Sequence, residues 1–265
     1  MESKKAVGLD AGSQTTKAVV LDGTTMLASS IVLSGDDVEA SARAAIEQAL
    51  YKAGLQFDGN FSITATGIGA KSVSFRQQQK GLTTCLARGI HHLLPSVQLA
   101  IDIGAESSTV IKINERGKLS DYANHDKCAA GTGIFLQQMA KLMLMSLEEM
   151  SADSFKAKNR ADITNTCAVF AESEVISHVH RVPPTPKEEI IAGIFYSVVS
   201  RIITLCKRVG IKKDVAVTGG VALNKGLMHV FEEEFGFGVL VPELPQTVAA
   251  LGAAIVSRET LEKGS

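Results

Sequence analysis

One short pattern occurs twice in this chain and limits what it can fold into. The first copy runs from Lys5 to Asp22: an apolar stretch, Asp10, one small apolar residue, Gly12, a hydroxyl-rich turn, and a second apolar stretch. The second copy runs from Leu99 to Ile113 in the same layout, with Asp102, Ile103 and Gly104 before the turn. Ala6 to Leu9 and Ala18 to Leu21 are apolar runs of the length of buried strands. Each copy therefore reads as a strand–turn–strand unit, and the repeat predicts an α/β chain of two related lobes.

The turns carry the chemistry. Ala11-Gly12-Ser13-Gln14-Thr15-Thr16 is small and polar. Gly12 is expected to take a positive φ and let the backbone point several N–H groups at one spot. Such a concavity suits phosphate, and the hydroxyls of Ser13, Thr15 and Thr16 would add donors. Asp10 ends the first strand, where a carboxylate can hold hydrated Mg²⁺ beside phosphate oxygens. Asp102 is its counterpart in the second copy. Lys17 either touches a phosphate or faces solvent, and Glu106 either orients an attacking water or caps a turn. Taken alone, the first copy would also fit an ordinary Gly-Ser hairpin.

A third turn follows late in the chain. Val215 to Thr218 is an apolar strand running into Gly219-Gly220, Val221, Ala222, Leu223 and Asn224. The paired glycines would let a backbone approach adenosine, with Asn224 near sugar or base. Two phosphate hairpins and a glycine turn in this order resemble the actin, sugar-kinase and heat-shock-chaperone ATPases. That resemblance implies two ribonuclease-H-like lobes with a nucleotide cleft between them. The first lobe is expected over 1–95, closed by a C-terminal helix over 247–265, and the second over 96–246.

Elsewhere the pattern predicts strands at Met26–Leu33, Phe61–Ala65, Lys118–Asn124 and Val239–Val241. It predicts helices opening at Asp36–Glu39 and running to about Ala53, then over Leu82–Leu94, Gly133–Met145, Ala168–His180, Glu188–Arg208 and Leu223–Phe235. Bulk properties exclude several classes. Net charge is −1 over 265 residues, so there is no general attraction to nucleic acid. Tryptophan is absent and aromatics are 5%, which argues against a base-stacking surface. No unbroken apolar run is expected to span a membrane, and the N-terminus lacks a secretory pattern. A cytoplasmic location is expected, where four cysteines read as thiols or metal ligands more than as disulfides.

Two of these cysteines stand at predicted helix starts: Cys128 before Gly131-Thr132-Gly133, and Cys167 before Ala168-Val169-Phe170. A helix N-terminus stabilises a thiolate. Two thiolates are half of a soft-metal site, and a twofold dimer would complete a set of four. A shared Zn²⁺, or plain core packing, would use the same pair. Cys85 and Cys206 sit in apolar helical patterns and read as core.

Longer motifs narrow the choice. Lys127-Cys128-Ala129-Ala130-Gly131-Thr132-Gly133, the run Cys167 to Ser177, Thr218 to Ala222, Pro245-Gln246 and Ala250 to Ala254 resemble the activators of 2-hydroxyacyl-CoA dehydratases. The related ATPase subunits of benzoyl-CoA reductases share them. The resemblance implies ATP hydrolysis with Mg²⁺, coupled to one-electron transfer to a partner iron–sulfur reductase or dehydratase. It further implies a homodimer, one [4Fe-4S] cluster per dimer on Cys128 and Cys167 of each chain, and reduced ferredoxin or flavodoxin as donor. It places Gln14, Lys17, Ala105, Gly131, Thr132 and Gln246 with the turn residues in the cofactor-binding set, and Asp10, Asp102 and Glu106 in catalysis. One departure stands out. The family's second turn usually reads Gly-Gly-Gln-Asp-Ser-Lys, whereas this chain has Gly104-Ala105-Glu106-Ser107-Ser108-Thr109. The competing expectation is a small-molecule kinase on the same fold, similar to N-acetylhexosamine kinases, which would leave the cysteines unexplained.

Overall fold

A computed structural model describes residues 5–58, 60–125 and 131–264. The chain divides into two compact units. The first holds 1–98, 111–120 and 242–265, and the second holds 99–110 and 121–241.

The first unit is a five-stranded sheet with a helix on each face. Its strands are β1 (Lys5–Ala11), β2 (Thr15–Asp22), β3 (Thr25–Leu33), β4 (Phe61–Thr66) and β5 (Gln78–Gln79), in the order β3-β2-β1-β4-β5. The β1–β2 and β2–β3 pairs are antiparallel, and β1–β4 is parallel. Side chains alternate along β1, as the pleat requires. Val7 and Leu9 face helix α1 (Val38–Lys52), which buries Ala42, Ala45, Ile46, Ala49 and Leu50 in the same cluster. Asp37 caps α1 by accepting from the Ala40 N–H at 3.0 Å. Ala6, with Val19 and Leu21 of β2, packs instead on Ala250, Leu251, Ala254 and Ile255 of α8 (Val248–Gly264).

The α8 contact is unusually close. A Cβ on Gly8 would lie 1.9 Å from the Ala250 carbonyl, and one on Gly252 would lie 1.7 Å from the carbonyl of Cys85 in α2 (Leu82–Leu93). Backbone therefore rests on backbone, and no side chain can rotate away to make room. Gly252→Val is expected to lower unfolding stability by about 3 kcal/mol, the upper end of overpacking costs. Urea unfolding checks this; a loss below about 1 kcal/mol would show that the contact yields.

A second sheet repeats the plan with four strands in the order β8-β7-β6-β9, its residues outside 111–120 belonging to the second unit. These strands are β6 (Leu99–Ile103), β7 (Ser108–Ile113), β8 (Leu119–His125) and β9 (Val215–Thr218). Replacing β3-β2-β1-β4 by β8-β7-β6-β9 gives the same order, which is the duplication expected from the sequence. The helices are α3 (Gly133–Leu142), α4 (Leu147–Ser154), α5 (Ala168–His180), α6 (Lys187–Val209) and α7 (Lys225–Phe235). Leu99, Ile101, Phe135, Phe195, Ile202 and Phe231 are among the side chains of the second unit's core.

Several expectations are refined or corrected here. Helix α6 is, by length and composition, apolar enough to cross a membrane, but 72% of the apolar window is buried within the fold. It is a core helix, and Arg201 inside the window is what leaves the sequence without an unbroken apolar run of that length. The stretch Val239–Val241 forms only an isolated bridge, Ala216 to Leu240. Helix α7 starts later than expected, because Gly220–Leu223 is a 3-10 turn and Asn224 is the cap. Helix α4 was not anticipated, although Ser146 and Glu149 form a full capping box at its start.

Candidate functional site

The first turn is built around one buried ion pair. Asp10 is 7% exposed and lies opposite Lys17 in the β1–β2 register. Lys17 Nζ sits 3.3 Å from Asp10 Oδ2 and donates to the Thr15 carbonyl at 3.2 Å. Gly12 does not take the positive φ expected of it. Its constraint is steric: a Cβ there would lie 2.7 Å from the Thr15 carbonyl and 3.2 Å from Lys17 Nζ. The Thr16 hydroxyl, expected as a phosphate donor, is buried and bonded to Ser34 Oγ at 2.8 Å, which in turn donates to the Gly12 carbonyl at 2.8 Å. Thr16 and Ser34 therefore shape the turn. Ser13 is exposed, and Gln14 and Thr15 are half-buried. The Gln14 carbonyl accepts from the Ser34 N–H at 2.9 Å.

Gly67 belongs to this site and was not singled out from the sequence. It has φ +88°, and a Cβ on it would lie 2.5 Å from both Asp10 Oδ1 and the Ala11 carbonyl. The Gly69 N–H donates to that same carbonyl at 3.0 Å. The available signal was the Gly67-Ile68-Gly69 run directly after a strand, at the end that pairs with Asp10.

In the second unit, Asp102 at the end of β6 accepts from Thr218 Oγ1 of β9 at 2.8 Å. Gly219 has φ +87°, and a Cβ there would lie 2.3 Å from the Ile103 carbonyl. Only glycine allows the third turn to close this tightly against the second. Gly220 is exposed. Asn224 is engaged as a cap: its Oδ1 accepts from the Leu227 N–H at 3.0 Å and its Nδ2 donates to the Leu147 carbonyl at 3.4 Å. Glu106 is exposed and Ala105 half-buried. Gln246, in the first unit, lies half-buried in a 3-10 turn.

The second turn is tied to the start of α3. The Gly133 N–H donates to the Gly104 carbonyl and the Ile134 N–H to the Ala105 carbonyl, both at 2.9 Å. The Ser108 hydroxyl donates to the Gly131 carbonyl. Gly131 and Thr132 are buried. Thus the stretch expected to contact phosphate and the stretch that follows Cys128 share hydrogen bonds. Cys128 itself lies outside the described residues.

Cys167 is the N-cap of α5, half-exposed, and its side chain makes no capping bond. Close by in the chain, Val169 is 66% and Phe170 63% exposed. Cys85 and Cys206 are buried, and burial pushes each thiol up to about 12. At pH 8 their thiolate fractions are vanishingly small. Iodoacetamide on the native, metal-free chain is therefore expected to label Cys167 and to spare Cys85 and Cys206 until urea is added. Peptide mass spectrometry reads this directly; native labelling of Cys85 would overturn the burial. Among the described residues no group of three or more His, Cys, Asp or Glu side chains could hold a metal.

Comparison with known proteins places these features. The profile of the BadF/BadG/BcrA/BcrD ATPase family matches residues 7–257. The activator of lactoyl-CoA dehydratase from Anaerotignum propionicum is 38% identical over 97% of this chain and 98% of its own length. The activator of the 2-hydroxyisocaproyl-CoA dehydratase from Clostridium difficile, solved with bound ADPNP, superposes with a TM-score of 0.90 at 35% identity, covering 98% of this chain and 96% of that one. A ROK hexokinase from Thermus thermophilus, at 16% identity and a TM-score of 0.55, shares the architecture alone, covering 97% of this chain and 99% of its own.

Proposed function

Because the chain belongs to the BadF/BadG/BcrA/BcrD ATPase family, we propose that it is an ATP-driven activator that passes one low-potential electron to a partner iron–sulfur enzyme. The observation that carries this reading is the state of Cys167. It is a half-exposed thiol at a helix start, with no capping bond and no disulfide among the described residues, while Cys85 and Cys206 are buried. A sugar kinase on this fold has no use for such a thiol, and the similarity to a ROK kinase reaches the architecture only.

In this reading the turns at Gly12, Gly104 and Gly219 hold Mg-ATP. Asp10 and Asp102 are the carboxylates nearest the metal and the γ-phosphate, and Lys17 is the cation released to the phosphate when Asp10 takes up its metal. Water attacks the γ-phosphorus, the bond to the β–γ bridging oxygen breaks, and ADP and phosphate leave. A homodimer supplies Cys128 and Cys167 from each chain to one [4Fe-4S] cluster. The fit rests on donor chemistry: soft thiolate at a helix start is what such a cluster takes. The cluster supplies a one-electron couple, reduced by ferredoxin or flavodoxin and oxidised by the partner enzyme, in the cytoplasm of an anaerobically living cell. The partner belongs to the 2-hydroxyacyl-CoA dehydratases, benzoyl-CoA reductases or double-cubane cluster proteins.

Anaerobic purification with iron, sulfide and ATPase assays tests the proposal. The expected product is brown, hydrolyses ATP and carries about four irons per dimer. A colourless monomer that phosphorylates a sugar would overturn it.

A further inference from the structure

Arg201 of α6 reaches both cysteine-bearing stretches of the second unit. Its Nη1 donates to the backbone carbonyls of Asn165 at 2.7 Å and Thr166 at 3.1 Å, the two residues before Cys167. The Asn165 side chain is held as well, by a 2.9 Å bond from its Nδ2 to Ser200 Oγ, next to Arg201 on the same helix. The arginine stem runs along Gly131, shortly after Cys128: a Cβ built on Gly131 would lie 3.4 Å from Arg201 Cδ and 4.0 Å from Nε. Nε is buried and makes no hydrogen bond among the described residues.

This geometry constrains Cys167 directly. The peptide between Thr166 and Cys167 is planar, so fixing its carbonyl oxygen fixes the direction of the Cys167 N–H. Hydrogen bonds to cluster sulfurs, and charge near them, set cluster potentials. A lysine in place of Arg201 would bring the same charge but not the planar fork.

We propose that Arg201 is a positioning residue for the cluster: it locks the backbone at Cys167, braces the Gly131 stretch, and sets a permanent positive charge beside the ligands. This rests on the cluster reading above. Arg201→Gln and Arg201→Lys test it in two arms. In the metal-free chain, Arg201→Gln should raise amide exchange over Asn165–Ala168 roughly tenfold, on the scale of lost bonds from a charged donor, with the melting temperature held as a control for the fold. In the loaded dimer, Arg201→Gln should release iron to a chelator faster. It should also lower the midpoint potential by about 59 mV, which is a tenfold shift in a one-electron couple. Arg201→Lys should restore the potential but not the exchange protection. Unchanged exchange in Arg201→Gln overturns the proposal. So does faster exchange with unchanged chelation and potential, which would make Arg201 a loop anchor only. If the wild-type dimer binds no iron, the cluster reading and the cluster role of Arg201 both fail, and the exchange arm alone judges the backbone lock.

Discussion

Asp10→Asn is expected to slow Mg-ATP hydrolysis about a thousandfold, corresponding to the several kcal/mol that a metal-held phosphate site supplies. Asparagine keeps the size of the side chain, and its carbonyl can still accept from Lys17, so the melting temperature should change little. Alanine is the harsher test, because it leaves Lys17, only 14% exposed, beside an empty space. The two ligands should separate. Mg²⁺ dependence should collapse, while binding of metal-free ADP should hold or improve, since Lys17 loses the carboxylate 3.3 Å away that competes for it. Turnover measured across a Mg²⁺ titration checks the first, and calorimetry with and without chelator the second. Wild-type turnover in a folded Asp10→Asn protein would remove Asp10 from catalysis.

Cys167→Ser is expected to give a colourless protein, with iron falling from about four per dimer towards none. A serine oxygen is a hard donor where the cluster needs a soft one. The variant separates ligation from folding because the effects have opposite signs. Cys167 caps no N–H of α5. Serine is a good N-cap, worth about 0.5–1 kcal/mol. The metal-free variant should therefore melt no lower than the metal-free wild type, and ATP should still bind. A brown Cys167→Ser protein would mean that the ligand lies elsewhere.

The sequence revealed the fold because its signal was duplicated. Asp10-x-Gly12 and Asp102-x-Gly104 each end a strand, and the two sheets share one strand order. The placement of Asp10 and Asp102 at strand ends and of Gly219 in a tight turn was equally legible, because the apolar run before each marks where the strand stops. Residues that act through space were not. Gly67 matters because its missing Cβ leaves room for Asp10, and Ser34 because its hydroxyl takes up Thr16; both depend on strand register, which no local pattern reports. For the same reason, hydroxyl-rich composition could not tell that the Thr16 hydroxyl is taken up by Ser34. Asn224 reads as a nucleotide contact because a polar residue after a glycine turn suits one, yet its Oδ1 caps α7 and its Nδ2 donates to the Leu147 carbonyl at the start of α4.

The close seating of α8 on β1 also has a consequence for how the protein is made. The ribosome delivers β1 before the second unit and α8 after it. Domains generally complete as units during synthesis. Here the unit that begins first must finish last. Until α8 arrives, Ala6, Val19 and Leu21 have no cover from Ala250, Leu251, Ala254 and Ile255. Every nascent chain thus spends most of its elongation with one greasy sheet face exposed, a standing demand on holding chaperones. A message truncated just upstream of α8 would leave Ala6, Val19 and Leu21 without that cover for good.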